Sequence, residues 1–404
     1  MADVCAPDGS VSAAEQTVLD LIDVNEIVEL TQSLVRAPGG KPPGAEAAKA
    51  ELLAAACTDR GLEATLTEVE AARPNVSATL TGGEAPGLLL LGHTDVVPAG
   101  EGWTVDPFGG VLRDGRIFGR GSTDMLGGLA SCVVAMTSLR RGGVDLSGRV
   151  ELGATIDEED LGKGIRYYLA TGDRSSYAGC VVAEPTDLQT IIAARGDAYF
   201  EIRLAGRAAH SGHPSDGVNA IYGAADVIAD LERWHGELTA DSHPLVGPAT
   251  WSVGRVDGGT GTSIVAAKCM VSADRRLLPS ERSTEVLDAV RTRVSALGLH
   301  ARGLVVDVQM PMDMPGFETP ADHPFVRTVD GALQAAGGPG MPLGGWTAAC
   351  DGGFVARDAR VPVVVLGPGS VAAQAHRADE SVGIEELFVA AKTYALLAMR
   401  LLGA

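Results

Sequence analysis

Hydrophobic positions along the chain follow two patterns, and the change between them falls near residue 194. Before that point, apolar residues spaced three and four apart, as at 17–36 and 126–141, alternate with short continuous apolar runs at 87–92 and 180–183. Such spacing predicts helices, and such runs are typical of strands buried on both faces of a parallel sheet. The alternation predicts an α/β fold with a mostly parallel sheet and helices on both faces.

From residue 194 the chain alternates apolar and polar residues, as a half-exposed antiparallel strand does. The elements predicted there are strands at 196–210, 249–259, 264–278 and 304–310 and helices at 217–238 and 280–297. Strand–helix–strand–strand–helix–strand is the order of a compact α+β unit that resembles a ferredoxin-like layer. After residue 310, the α/β pattern of helices and short apolar strands returns. We therefore expect a catalytic domain made of residues 1–193 and 311–404, with a lid or dimerisation domain inserted at 194–310.

Composition narrows the class of protein. The chain has 404 residues, a net charge of −20 and a hydrophobic content of 46%, which together predict two packed, acidic domains. Because the negative field repels nucleic acid and anionic lipid, we expect neither as a partner. No 18-residue apolar run is evident, so no membrane span is predicted.

The cysteines and the first residues bear on location. The six cysteines are dispersed without a CxxC pair, which favours free thiols over a disulfide framework. The first 16 residues lack the basic and apolar regions of a secretory signal. We expect a cytoplasmic protein.

Acidic and imidazole side chains directly follow the predicted strands. His93 follows the run at 87–92, the pair Glu158–Glu159 follows 149–156, and Glu184 follows 180–183. Because functional groups gather at the carboxyl ends of parallel strands, these side chains are expected to converge. Asp95 lies two residues after His93, on the same side of an extended segment, and is the candidate acceptor for the other ring N–H.

Two further candidates lie in loops. Asp124 lies in a glycine-bracketed turn before a helix, where it could bridge two metals or simply cap the helix. His376 lies in a polar loop after the Gly-Pro-Gly turn at 367–369. The adjacent Glu158 and Glu159 are costly to bring together without cations, although a solvated acidic turn is the alternative. Two imidazoles and five carboxylates suffice for two zinc-like ions and one free base, a known arrangement for hydrolysing an amide.

With these residues in hand, the chain resembles the co-catalytic dizinc peptidase and amidohydrolase family of acetylornithine deacetylase, succinyl-diaminopimelate desuccinylase, aminoacylase and glutamate carboxypeptidases. The likeness runs from about residue 20 to about residue 400. The motifs that carry it, in the family's order, are GHTDVVP, GRGSTDMLGG, the Glu158–Glu159 pair, AEPT, AAHSGHP, DRRLLP and the late His376. Each motif alone is weak, and their shared order makes the likeness specific.

The resemblance implies a dinuclear metal centre. His93 and Glu184 would bind one ion, Glu159 and His376 would bind the other, and Asp124 would bridge them. Two Zn²⁺ ions are implied, with Co²⁺ or Mn²⁺ as alternatives.

The resemblance also implies catalytic and substrate-binding residues. Asp95 would orient His93, and Glu158 would be the general base. His210 of the inserted domain would reach a neighbouring subunit's site and hydrogen-bond the oxyanion, within a homodimer. Arg276 would pair with a substrate carboxylate. Ser263 and Gly367 complete the expected substrate-binding set.

Three departures from the family pattern concern the substrate pocket. Leu126 stands where many members have Lys, Ser263 stands where many have Asn, and TAACDGG at 347–353 replaces a Gly-Gly-Thr-Asp segment. None of them is a predicted metal ligand, so the predicted metal centre is unaffected.

The resemblance as a whole implies a metal-dependent hydrolase of an N-acyl amino acid, of the acetylornithine deacetylase or desuccinylase kind. The alternatives are a dipeptidase or carboxypeptidase with the same site, and a silent protein that binds a metal or metabolite.

Overall fold

The chain folds into two compact units. A computed structural model describes residues 10–38, 46–172 and 176–403. The first unit comprises Met1–Ile192, Glu318–Gly344 and Phe354–Ala404, and the second comprises Ala193–Phe317 and Gly345–Gly353. The second unit extends past the predicted limit at residue 310 because its last strand continues to Met314. The catalytic and dimerisation roles assigned to the two domains stay predictions.

The strands alternate with the helices along the chain. The strands of the described residues are β1 Glu63–Glu70, β2 Arg73–Leu80, β3 Ala85–His93, β4 Val111–Arg113, β5 Arg116–Phe118, β6 Gly148–Thr155, β7 Tyr177–Val182, β8 Ile191–Ala194, β9 Gly196–Ala205, β10 Ser242–His243, β11 Gly247–Pro248, β12 Thr250–Gly258, β13 Lys268–Leu277, β14 Val305–Met314, β15 Phe317–Glu318, β16 Gly344–Trp346, β17 Val363–Val365 and β18 Ser381–Gly383. The α-helices are α1 Ala13–Leu19, α2 Val24–Arg36, α3 Ala47–Asp59, α4 Gly127–Arg141, α5 Lys163–Ala170, α6 Ala220–Leu238, α7 Ser283–Ala296, α8 Pro324–Ala335, α9 Gly352–Phe354 and α10 Ile384–Leu402.

The main sheet of the first unit has a parallel centre. Seven of its strands follow the order β1-β2-β6-β3-β7-β17-β8. Strands β6, β3, β7 and β17 pair in parallel, whereas β1, β2 and β8 pair antiparallel with their neighbours. The predicted α/β fold is confirmed, with antiparallel strands flanking the parallel centre.

Helices cover both faces of this sheet. A Cβ built on Gly92 would meet Met125 and Leu129, just before and within α4. A Cβ built on Gly153 would instead meet Tyr168 of α5. Gly153 pairs with Leu91, the residue before Gly92, and successive strand residues point to opposite faces. Helices α4 and α5 therefore lie on opposite sides of the sheet.

The single helix predicted at 17–36 is wrong: two helices occupy this stretch. The Asp23 carboxylate accepts the main-chain N–H of Asn25 at 2.8 Å and begins α2. An N-cap of this kind requires non-helical backbone at the capping residue. The chain therefore breaks between α1 and α2.

Helix α4 is a buried helix of the first unit. The segment Ser122–Arg141 is long and apolar enough to pass a length-and-composition test for a membrane span, with a mean hydropathy of 1.2. The residues of that window are 94% buried within the fold. Its apolar surface is therefore used in packing.

The second unit is an antiparallel sheet packed on helices. Its four strands follow the order β12-β13-β9-β14. Helix α6 contacts β9, β12 and β13, and α7 contacts β14. Phe200, Trp251 and Val271 lie at the centre of the apolar core between them. Cys57, Cys132, Cys180, Cys269 and Cys350 are buried, and among the described residues none forms a disulfide; Cys5 lies outside the described residues.

Candidate metal centre

The carboxyl ends of three parallel strands deliver most of the predicted site residues. Strand β3 ends at His93, which lies opposite Thr155 at the end of β6. Two residues of loop then separate β6 from Glu158, and one separates β7 from Glu184. Because the strands are parallel neighbours, their ends meet at one edge of the sheet.

One group of ligand atoms surrounds Nε2 of His93. This nitrogen lies 3.2 Å from Oδ1 of Asp124, 3.3 Å from Oε1 of Glu184 and 3.9 Å from Oε2 of Glu158. The imidazole is fully buried. The arrangement places one nitrogen and several carboxylate oxygens within reach of a single ion.

A second group surrounds Nε2 of His376. It lies 3.3 Å from Oδ2 of Asp124 and 3.2 Å from Oε1 of Glu159. The His376 side chain is 52% exposed, so this side of the site is open. Asp124 thus presents one carboxylate oxygen to each histidine, which is the geometry that a bridging ligand requires.

Asp95 supports the acidic turn rather than the histidine ring alone. Nδ1 of His93 lies 2.9 Å from the main-chain oxygen of Asp95 and 3.6 Å from its carboxylate. The carboxylate oxygens accept the main-chain N–H groups of Glu158 and Glu159, at 3.2 and 3.1 Å. The hydrogen-bond acceptor for the ring is therefore the carbonyl of the expected residue, not the side chain predicted from the sequence.

The pKa values of the side chains in these two groups reflect crowded charge. Burial acts to lower the pKa of His93, but the carboxylates of Glu184, Asp124 and Glu158 outweigh it and hold that pKa well above its usual value. Burial, reinforced by the negative charge of Asp124, raises the pKa of Glu184 to about 8. Burial likewise raises the pKa of Asp95 to about 6.

The second histidine shows the same effect. Hydrogen bonds to Asp124 and Glu159 raise the pKa of His376 to about 10. Although burial opposes it, hydrogen bonding to His376 and His93 holds the pKa of Asp124 below its usual range. Protons on the imidazoles here offset negative charge that cations would otherwise neutralise.

These residues fit a pair of divalent ions. Two sets of three groups have ligand atoms within 4.8 Å of one another, namely His93, Glu158, Glu184 and His93, Asp124, Glu159. Imidazole nitrogen with carboxylate oxygen is a ligand set typical of zinc and related first-row metals. The buried carboxylates would be costly without cations. The donor set therefore suits the metals that the sequence predicts.

The remaining predicted residues have simpler surroundings. His210 and Ser263 are exposed in the second unit, where the His210 Nδ1 atom accepts the N–H of Gly212 at 3.0 Å. Gly367 lies beside the end of β7, and a Cβ there would meet the Ala183 main-chain oxygen at 2.3 Å. The roles predicted for these residues stay predictions.

Arg276 is paired within its own unit. Its guanidinium contacts Asp274 at 3.0 Å and Asp197 at 3.2 Å. Burial raises the pKa of Asp197 to about 7 against the opposing charge of Arg276. A substrate carboxylate would therefore compete with two side chains for this guanidinium, and its substrate role stays a prediction.

Sequence reasoning missed a buried ion pair behind Asp124. The Glu380 carboxylate accepts the main-chain N–H groups of Thr123 and Asp124, at 3.0 and 3.1 Å, and pairs with Arg120 at 2.5 Å. Glu380 follows His376 by four residues in the same motif, AHRADE. That proximity to a predicted ligand was the available signal.

The fold and the paired histidine–carboxylate groups together fit a dinuclear metallohydrolase. Residues 89–400 match the family described as Peptidase family M20/M25/M40, and the chain belongs to this family. It is an enzyme that acts on amide bonds, as its membership of a peptidase family and its deacetylase relatives indicate.

Named relatives and solved structures agree with this assignment. Acetylornithine deacetylase from Proteus mirabilis (strain HI4320) is 33% identical over 313 residues, covering 76% of this chain and 77% of that protein. A tripeptidase structure from Staphylococcus aureus matches with a TM-score of 0.75 at 20% identity, covering 94% and 99% of the two chains. A dinuclear metal-binding M20 peptidase from Bacillus subtilis matches with a TM-score of 0.71 at 17% identity, covering 94% and 98%. At these identities, the solved structures support the fold.

Proposed function

We propose that this enzyme hydrolyses the amide bond of an N-acyl amino acid, with acetylornithine-like compounds as the preferred class. The observation that carries the proposal is the division of the Asp124 carboxylate between His93 and His376, at 3.2 and 3.3 Å. Similarity to relatives named acetylornithine deacetylase, at 31–33% identity, supports the choice of substrate class.

The metal ligands are proposed by matching the structure to the family's motifs. His93 and Glu184 would hold one ion, Glu159 and His376 the other, and Asp124 both. Zinc is proposed as the ion because the ligand set mixes imidazole and carboxylate. When bound, two such ions supply Lewis acidity and lower the pKa of a water molecule.

Glu158 is proposed as the general base. Its carboxylate lies near the first metal group, 3.9 Å from Nε2 of His93, and its main-chain N–H is fixed by Asp95. The carboxylate would take a proton from water as the water oxygen bonds to the amide carbon. It would then deliver that proton to the nitrogen as the carbon–nitrogen bond breaks. The products are a carboxylic acid and the free amine.

The second unit is proposed to contribute to substrate binding. His210 would stabilise the oxyanion from a neighbouring subunit, and Arg276 would pair with the substrate carboxylate through its planar guanidinium. A homodimer is proposed as the working form.

The proposal is tested by quantifying metal and measuring amine release. N-acetylornithine, N-succinyl-diaminopimelate and a dipeptide panel would be compared at equal concentrations, with chelator-treated protein as the control. We expect amine to be released fastest from N-acetylornithine. This activity should be lost on chelation and restored by Zn²⁺. Preference for dipeptides would assign a dipeptidase instead, and metal binding without any turnover would overturn the proposal. Sedimentation at several concentrations and cell fractionation would test the dimer and the cytoplasmic location.

A further inference from the structure

The main chain of the bridging residue is held by a carboxylate that is not a predicted ligand. Glu380 is fully buried, and its Oε1 atom accepts the N–H groups of both Thr123 and Asp124, at 3.0 and 3.1 Å. Two main-chain donors from consecutive residues thus converge on one carboxyl oxygen. They fix the direction in which the Asp124 side chain leaves the chain.

The other oxygen of Glu380 is engaged by a buried cation. Oε2 accepts from Nη1 of Arg120 at 2.5 Å, and Arg120 is only 2% exposed. Nη2 of Arg120 donates to the main-chain oxygen of Ala99 at 3.0 Å, in the loop that follows His93. Separating a buried pair would leave an uncompensated charge and is strongly destabilising, although Nε of Arg120 has no hydrogen-bond partner among the described residues. The pair therefore fixes the turn at 120–124 relative to the loop after β3.

Glu380 also joins the two sides of the candidate centre through the chain. It lies four residues after His376, and the next residue, Ser381, accepts the Thr123 hydroxyl at 2.7 Å through its main-chain oxygen. The main-chain oxygen of Glu380 itself accepts the N–H of Gly119 at 2.9 Å. The segment that carries one histidine is thus bonded directly to the turn that carries the bridging carboxylate.

We propose that Glu380 is a positioning residue for the dinuclear centre, which sets the separation between the two metal sites by fixing Asp124 relative to His376. Arg120 supplies the opposite charge that holds this carboxylate in place. The inference rests on the proposed function, since it assumes that Asp124 bridges two ions. It adds a specific dependence: loss of Glu380 would weaken both sites together, although Glu380 is not among the predicted ligands.

The test is titration of the metal-free protein with Co²⁺, followed by visible absorption and by competition with a fluorescent chelator. Glu380→Gln removes the charge while leaving one oxygen acceptor. Glu386→Gln is the matched control, because Glu386 also accepts a main-chain N–H, from Gly383 at 2.8 Å, but lies outside the 120–124 turn. Outer partners of metal ligands commonly contribute about 10–100-fold in affinity. We expect Glu380→Gln to lose that much for both equivalents of Co²⁺, with an altered absorption spectrum, and Glu386→Gln to match the unmodified protein.

A second variant guards against a folding defect. Glu380→Asp keeps the charge opposite Arg120 but is one methylene shorter, so it should fold and bind Co²⁺ with intermediate affinity. If circular dichroism shows that Glu380→Gln is unfolded, Glu380→Asp alone decides. Unchanged affinity and spectrum in the folded variants would overturn the inference. If the unmodified protein itself fails to take up two equivalents of Co²⁺, the proposed function fails instead, and the two failures are distinguishable.

Discussion

Asp95 holds His93 with its main chain and leaves its side chain for another task. Its carbonyl oxygen lies 2.9 Å from Nδ1 of His93, whereas its carboxylate, 3.6 Å from the same atom, accepts the N–H groups of Glu158 and Glu159. One residue therefore orients a histidine and an acidic turn by separate atoms. The two functions can be separated by mutation.

Asp95→Asn tests this division. The main-chain contact to His93 is retained, but the amide offers only one oxygen to two N–H donors, and its NH₂ group faces the other donor. We expect metal affinity or turnover to fall by about 10–100-fold, with the loss greater for the ion nearer Glu159. Asp106→Asn is the control, since Asp106 accepts a main-chain N–H from Phe108 in an exposed loop. Full affinity and turnover in Asp95→Asn would show that the turn needs no such support.

Glu158→Ala separates the base from the ligands. Since general acid–base catalysis contributes roughly 10²–10⁴-fold, we expect turnover to fall to that extent or below detection. Metal content should stay near two ions per chain, measured by atomic emission after gel filtration. Asp160→Ala, in the same acidic turn, should retain turnover. Loss of one ion from Glu158→Ala would instead make Glu158 a ligand, as its 3.9 Å distance from His93 Nε2 would permit.

Chelation should change how thermal stability depends on pH. Without metal, the pKa of His376 is raised to about 10 and that of Glu184 to about 8. The protonated His376 stabilises the fold below its usual pKa of 6.5, and this stabilisation is lost as pH rises toward 10. Glu184 acts in the same direction, because its buried carboxyl resists ionisation until the pH passes about 8. The Tm of chelator-treated protein should therefore fall as the pH rises from 6.5 to about 10.

Bound cations should offset that fall, so the difference in Tm between metal-replete and metal-free protein should widen with pH. Metal binding at pH 7 should also release protons, since ligands must be deprotonated. Calorimetry in buffers of different ionisation enthalpy measures that release. A difference in Tm that narrows as pH rises, or no proton release, would contradict the assigned ligands.

Gly128→Ala tests the packing behind the first metal group. A Cβ at Gly128, in α4, would meet the main-chain oxygen of Ala183 at 2.2 Å, next to Glu184. Overpacking of this kind costs about 1–3 kcal/mol, and we expect metal affinity to fall with stability. Gly236→Ala is the control, because nothing lies within 4 Å of that position in α6 and alanine favours a helix by about 0.5–1 kcal/mol. Equal stability in the two variants, measured by urea unfolding, would disprove the predicted close contact.

The sequence predicts the site residues whose positions follow from hydrophobic periodicity and from the ends of strands. His93, Glu158, Glu159 and Glu184 follow apolar runs, so one rule about parallel sheets brings them together. His376 does not follow a predicted strand, and only its motif assigns it to the metal centre. The break between α1 and α2 was missed because the capping carboxylate of Asp23 lies within an otherwise helical apolar pattern.

The support behind the ligands was less accessible to sequence reasoning. Arg120 and Glu380 are 260 residues apart, and neither lies on a strand whose end would indicate a partner. The main-chain oxygen of Asp95 is nearer to Nδ1 of His93 than its carboxylate is, and the two distances differ by less than 1 Å. Hydrophobic periodicity in the sequence cannot predict a difference that small, because it depends on the packing of the folded chain.

An anomalous-scattering map of metal-replete crystals tests the central claim most directly. We predict two peaks about 3.5–4 Å apart, one beside His93 and Glu184, the other beside Glu159 and His376, with the Asp124 carboxylate between them. A single peak, or no peak within coordination distance of Asp124, would contradict the dinuclear centre.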